Sequence, residues 1–177
     1  MSDSTAPRQL AHHFDLSLCR LFNQANRNRP IGLFFAVVSR LGNGLFWYAL
    51  IAMLPILFGV EALFVSLQML LTGAICLLVY KQLKARTGRP RPFLASDAIF
   101  RTVPPLDQYS FPSGHTLHAV AFSTVVLAWY PQLSWLVVPF TLLVAISRLV
   151  LGLHYPSDVL AGAAVGGAIA WLSLQLV

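Results

Sequence analysis

Charge is scarce in this chain: 10% of its 177 residues are Asp, Glu, Lys or Arg, against about 25% in an ordinary soluble domain. A domain this small leaves a large share of its residues at the surface, and 57% of this sequence is hydrophobic. A water-soluble globular fold is excluded on that ground, and a bilayer supplies the missing apolar solvent. Cysteine is nearly missing too. Cys19 lies in an N-terminal segment and Cys76 inside an apolar run, so no disulfide is expected between them. Carboxylates are sparse and show no cluster suited to magnesium. There is no tandem repeat or low-complexity tract. Met1–Pro7 is polar with no apolar region leading to a cleavage site, so no signal peptide is expected.

What charge there is carries one sign: 12 Lys and Arg against 6 Asp and Glu, a formal +6. Its distribution decides what that means. Lys81, Lys84, Arg86, Arg89 and Arg91 directly follow an apolar stretch and are broken up by Gly88, Pro90 and Pro92. Such a patch suits anionic headgroups at a membrane surface better than a nucleic-acid groove.

The apolar runs define an all-α, polytopic membrane helix bundle, one domain over residues 1–177. Residues 1–7 read as a disordered tail and 8–41 as an interfacial helical segment. Leu10, Phe14, Leu18, Leu21 and Phe22 recur at helical spacing among polar neighbours, which fits either a helix lying in the interface or one packed on the domain's own loops. Ile31–Leu41 is too short to cross, and Gly42-Asn43-Gly44 is expected to break or kink the chain. The bundle proper covers 44–176, with five spans near 44–60, 62–82, 113–130, 133–151 and 157–176. In the last, Gly162/Gly166 and Ala163/Gly167 stand four apart, a pattern that lets helices approach closely.

Alternating these spans brings the end of the second, the start of the third, the end of the fourth and the start of the fifth to one face. Three polar clusters sit there. Lys84 and Arg91, the latter followed by Pro92, offer a compact cation and a planar fork of donors to phosphate oxygens. Pro112-Ser113-Gly114-His115 opens the third span, where free N–H groups and the helix dipole favour an anion. Ser147-Arg148, His154 and Asp158 form the last. Arg148 is a charge near the end of an apolar span, and His154 and Asp158 stand four apart around Pro156, so the carboxylate can accept from one ring nitrogen and leave the other free. Singly, each cluster has an ordinary structural explanation: a basic flank, a helix cap, a structural hydrogen bond. Together, on one face, their chemistry is complementary.

Lys84-x6-Arg91-Pro92, Pro112-Ser113-Gly114-His115 and Ser147-Arg148-x5-His154-x3-Asp158 together resemble the three-part signature of the type 2 phosphatidic acid phosphatase superfamily, membrane lipid phosphatases and soluble haloperoxidases among them. The resemblance implies a six-helix core, about five of the helices spanning the membrane beside an N-terminal interfacial one. It implies that His154 attacks phosphorus to form a phosphohistidine, that Asp158 orients it, and that His115 protonates the leaving oxygen and then activates water. Lys84, Arg91, Ser113, Gly114 and Arg148 would hold the phosphoryl oxygens, with no metal or other cofactor. The partners implied are a lipid phosphate or diphosphate and membrane lipids, with no nucleic acid and the oligomeric state open.

Compact size and the interfacial N-terminus are similar to bacterial undecaprenyl-diphosphate phosphatases, and that resemblance implies undecaprenyl diphosphate as substrate, with phosphatidylglycerophosphate, phosphatidic acid and lipid A as alternatives. A non-enzymatic anion-binding scaffold or transporter is the contrasting class. The expected location is the bacterial inner membrane. Neither loop opposite the site carries Lys or Arg, which by the positive-inside rule points the site to the cytoplasm; the resemblance implies a periplasmic site, and that is the expectation adopted. His118, one turn from His115, offers a zinc site as a minor alternative. Arg86 and Arg89 read as a solvated flank or as contacts to a second phosphate. Asp97, Arg101, Asp107 and Tyr109 lie in the loop above the site, within reach of a headgroup. His12, His13 and Arg40 indicate an interfacial location alone.

Overall fold

The computed structural model describes residues 6–176, with side chains from His13 onward; residues 1–5 of the expected tail lie outside it, and helix α1 already begins at Ala6. The chain runs α1 (Ala6–Asn23), α2 (Arg29–Arg40), α3 (Phe46–Phe58), α4 (Ala62–Thr87), a short α5 (Pro92–Ala95), α6 (Gly114–Trp129), α7 (Ser134–Val150) and α8 (Pro156–Leu174). No strand occurs among the described residues.

Four helical stretches are long and apolar enough to cross a membrane: Arg29–Phe58, Ala62–Ala95, Pro131–Val150 and Pro156–Leu174. The first corrects the expected boundary at 41–44. Leu41–Leu45 forms a π turn in which Gly44 takes φ 130°, so the Gly-Asn-Gly segment kinks the helix and carries it on. Ile31–Leu41 is therefore continuous with α3 in one helical stretch long and apolar enough to cross a membrane. The third expected span, α6, has 16 residues, short of the roughly 20 that lipid exposure demands. It sits at the centre of the bundle against α4, α7 and α8. Leu117, Ala119, Ala121, Phe122, Val125 and Val126 on it are all buried. Enclosed by protein, it does not have to match the hydrocarbon thickness by itself.

The outside of the bundle is apolar, with Ile56, Leu57, Leu63, Leu71, Leu78, Leu142, Leu160 and Trp171 all exposed. On α8 the small residues do what their spacing predicts. A Cβ on Gly162 would stand 2.6 Å from the Ser113 carbonyl oxygen, and one on Gly166 would run into the Leu117 backbone, so α8 lies directly on α6.

Helix α1 packs on the domain's own loops. Leu16 and Cys19 join Ile99 and Tyr155 in a small buried cluster. Asn23 donates to the carbonyls of Phe100 (2.8 Å) and Val150 (2.8 Å) and accepts from the Phe100 N–H (2.7 Å). Its apolar stripe points the other way: Phe14 and Leu21 are 67% and 60% exposed. The polar and small side chains Asp15, Cys19 and Asn23 face the protein, as does Asn26 just beyond the helix, which is the alternative of packing on the domain's own loops.

Candidate active site

The four helix ends expected on one face meet there. Lys84 ends α4, Gly114 and His115 open α6, Arg148 lies in the last turn of α7, and His154 sits in the turn before α8. All five, with Arg91, line one cavity of about 450 Å³. Trp47, Leu70, Ala74, Leu77 and Phe122 line the same cavity, so polar and apolar side chains share one space between helices.

Gly114 is needed where it stands: a Cβ there would meet the Tyr80 ring at 2.7 Å. Ser113 is placed differently from expectation. It sits at the N-cap position of α6, yet its side chain caps nothing. The hydroxyl pairs with that of Thr116 at 3.0 Å, and Ser113 is fully buried rather than lining the cavity.

His154 is buried between two polar groups of opposite character. On one side, Arg91 Nη1 stands 3.3 Å from Nε2 and also donates to the Leu153 carbonyl at 2.7 Å. On the other, Asp158 Oδ2 stands 3.7 Å from Nδ1. A guanidinium only donates, so the nitrogen facing it is the bare one; the ring proton of neutral His154 belongs on Nδ1, toward the carboxylate. Burial, then the charges of Arg148, Arg91 and Lys84, hold the imidazole well below the ordinary histidine value, which keeps it neutral.

The cationic side is built around a carboxylate whose loop position suggests only a headgroup contact. Asp107 accepts from Lys84 and from Arg91 Nη2 (2.8 Å), and Tyr80 donates its hydroxyl to the second oxygen at 2.5 Å. Burial raises the pKa of Asp107, but the bonds from Lys84 and Tyr80 and the charges of Lys84 and Arg91 outweigh it and hold the group below the usual carboxylate range. An anionic oxygen thus occupies the fork between Lys84 and Arg91, where phosphate oxygens are expected. Arg148 completes this side, its guanidinium donating to Ser39 of α2.

The other side corrects the expectation for Arg89, which is neither a solvated flank nor aimed at a phosphate. Its Nη1 donates to Asp158 Oδ1 at 2.6 Å and its Nη2 to Asp15 Oδ2 at 2.6 Å, with Cζ lying 4.0 Å from the centre of the Tyr155 ring. Asp158 also accepts from the Tyr155 N–H (2.9 Å). Sequence reasoning misses Asp15; the one available signal is a lone acid on an otherwise neutral or basic helix. His118 donates Nδ1 to the Gly114 carbonyl at 2.9 Å. Among the described residues no group of three or more His, Cys, Asp or Glu is placed to hold a metal ion.

The arrangement can bind an anionic group against a neutral imidazole whose far nitrogen faces a carboxylate, with a second histidine at the same cavity. The chain is similar to proteins of known name and to solved structures. The chain is 27% identical over 164 residues to an undecaprenyl-diphosphatase of Sulfolobus acidocaldarius, covering 92% of this chain and 78% of that protein. It is 40% identical over 83 residues to the undecaprenyl-diphosphatase BcrC of Bacillus subtilis, a match spanning 47% of this chain and 42% of that one. Among solved structures, LpxE of Aquifex aeolicus superposes with a TM-score of 0.78 at 27% identity, covering 90% of this chain and 94% of that one. A PAP2-type phosphatidylglycerolphosphate phosphatase of Bacillus subtilis shares the fold, with a TM-score of 0.76 at 24% identity over 94% and 86% of the two chains. The PAP2 superfamily profile matches residues 61–177, and the chain belongs to that superfamily as one of its membrane lipid phosphatases.

Proposed function

We propose that this protein hydrolyses undecaprenyl diphosphate to undecaprenyl phosphate and inorganic phosphate, through a phosphohistidine formed on His154. The observation that carries the chemistry is the setting of His154, with its bare Nε2 turned to the cations and its Nδ1 turned to Asp158. The terminal phosphoryl oxygens take the fork of Lys84 and Arg91, with Arg148 and the N–H groups at the start of α6 as further donors. Nε2 attacks phosphorus and the P–O bond to the lipid phosphate breaks. His115, at the same cavity, delivers a proton to the leaving oxygen. Water deprotonated by His115 then attacks the phosphohistidine, releasing phosphate and restoring neutral His154. Asp158 stabilises the positive charge that the ring carries between the two steps.

The lipid assignment draws on two relatives named for undecaprenyl diphosphate and on the apolar part of the cavity lining, which suits a prenyl or acyl chain. We place the site on the periplasmic face of the bacterial inner membrane, where carrier lipid would be recycled. The deciding experiment compares phosphate release from undecaprenyl diphosphate, phosphatidylglycerophosphate, phosphatidic acid and lipid A in matched detergent. Highest kcat/KM on undecaprenyl diphosphate is the expected result. A preference for lipid A would move the assignment toward the function for which a Rhizobium etli relative, 34% identical over 96 residues, is named.

A further inference from the structure

The N-terminal helix reaches the catalytic centre, and Asp15 is its point of contact. Its Oδ1 accepts the Ser157 N–H at 3.0 Å, and its Oδ2 accepts from the Ser157 hydroxyl and from Arg89 Nη2 (2.6 Å). Asp15 is itself buried. Ser157 neighbours Asp158 in the first turn of α8, and its hydroxyl lies 2.7 Å from Arg89 Nη1. One turn along α1, the Cys19 thiol lies 3.6 Å from the His154 carbonyl oxygen. Two groups of α1 thus touch the segment that carries His154 and Asp158.

We infer that Asp15 is a positioning residue for the phosphatase reaction, acting through Arg89 to keep the charge of Asp158 available to His154. The inference rests on the phosphohistidine reading above. Arg89 bridges the two carboxylates, at 2.6 Å from each. Two anions against one cation leave one net negative charge facing His154. Without Asp15 the count falls to zero, and the whole charge of Arg89 is directed at Asp158. From the opposite side His154 faces Arg148, Arg91 and Lys84, and Asp107, the acid among them, is already held by Lys84 and Arg91. The ring must become positively charged when it attacks phosphorus, so a neutralised Asp158 raises that barrier. Substrate binding, which belongs to the other side, is untouched.

The test uses the full chain in detergent on a lipid diphosphate. Asp15→Asn is expected to lower kcat by roughly tenfold or more with KM within about twofold. Asp15→Glu, which keeps the charge, is expected to regain most of that loss. Arg89→Gln in the Asp15→Asn background restores the charge balance and is expected to recover part of kcat, a coupling that simple loss of packing would not produce. Arg20→Ala, which removes another α1 contact, to the Ser96 hydroxyl, controls for docking and should leave kcat unchanged. Wild-type kcat in Asp15→Asn, or a double variant no better than the single, overturns the inference. Should Asp15→Asn fail to fold, the double variant decides by itself: turnover above about one tenth of wild type supports the role, and anything lower rejects it. A wild-type protein inactive on every lipid phosphate would instead defeat the phosphohistidine reading.

Discussion

The two sides of His154 are close to electrostatic opposites. Toward the cavity stand three cations, Lys84, Arg91 and Arg148, with one carboxylate, Asp107, among them. Behind the ring stand two carboxylates, Asp158 and Asp15, with one cation, Arg89, between them. The first side holds an anion, and the second supports positive charge on the imidazole. A nucleophilic histidine needs both: a place for the phosphate and a counter-charge for the ring that attacks it. The difference also separates affinity from turnover, because each side answers to a different stage of the reaction.

The sharpest way to break the comparison is to remove the group between the sides. His154→Ala should abolish phosphate release, with the purified protein keeping its helical circular dichroism; turnover near wild type would sink the assignment. Asp158→Asn comes next. It strips the rear side of its direct partner, and kcat should fall about a hundredfold or more with little change in KM. A pure rise in KM would mean that Asp158 acts on substrate. The pH profile is a milder probe. Burial and the three cations lower the pKa of His154, so the ring stays neutral as pH falls through about 6.5, the ordinary histidine value. The acid limb of kcat/KM that reports the nucleophile should therefore lie below that value, and a limb set above it by His154 would contradict the geometry. The smallest effect belongs to Asp107→Asn. Its carboxylate competes with phosphate for Lys84 and Arg91, so KM should fall a few-fold (about two- to fivefold) with kcat nearly unchanged. A strong loss of kcat would show that Asp107 takes part in the chemistry.

Much of the cavity side is legible along the chain. Lys84, Arg91, Gly114, His115, Arg148 and His154 stand out by residue type and spacing, and the alternation of apolar spans is enough to put them on one face. The rear side is legible only in Asp158. Arg89 looks like one more member of a basic flank, because its partner Asp15 lies 74 residues away in sequence. Asp107 sits in an irregular loop with no periodicity to orient it. Ser113 has the sequence context of a cap and turns instead to Thr116, one turn along the same helix.

The same contrast runs through the helices. Hydrophobic length and punctuation specify that the chain is a helix bundle in a membrane, because each span has to satisfy its own backbone and find apolar solvent. Those are local demands, and they are written locally. Whether Gly42-Asn43-Gly44 ends a helix or bends it, whether α6 meets lipid, and which face of α1 turns inward are not local questions. α1 shows why: Phe14 and Leu21 face outward, and its polar side chains Asp15 and Asn23, with Asn26 just beyond its end, are buried against loops whose donors and acceptors they satisfy. In a bilayer an apolar face needs no protein to cover it, while a polar one must find partners. Those partners lie far along the chain, so tertiary packing chose the face of α1 and, with it, the second carboxylate behind His154 and beside Arg89.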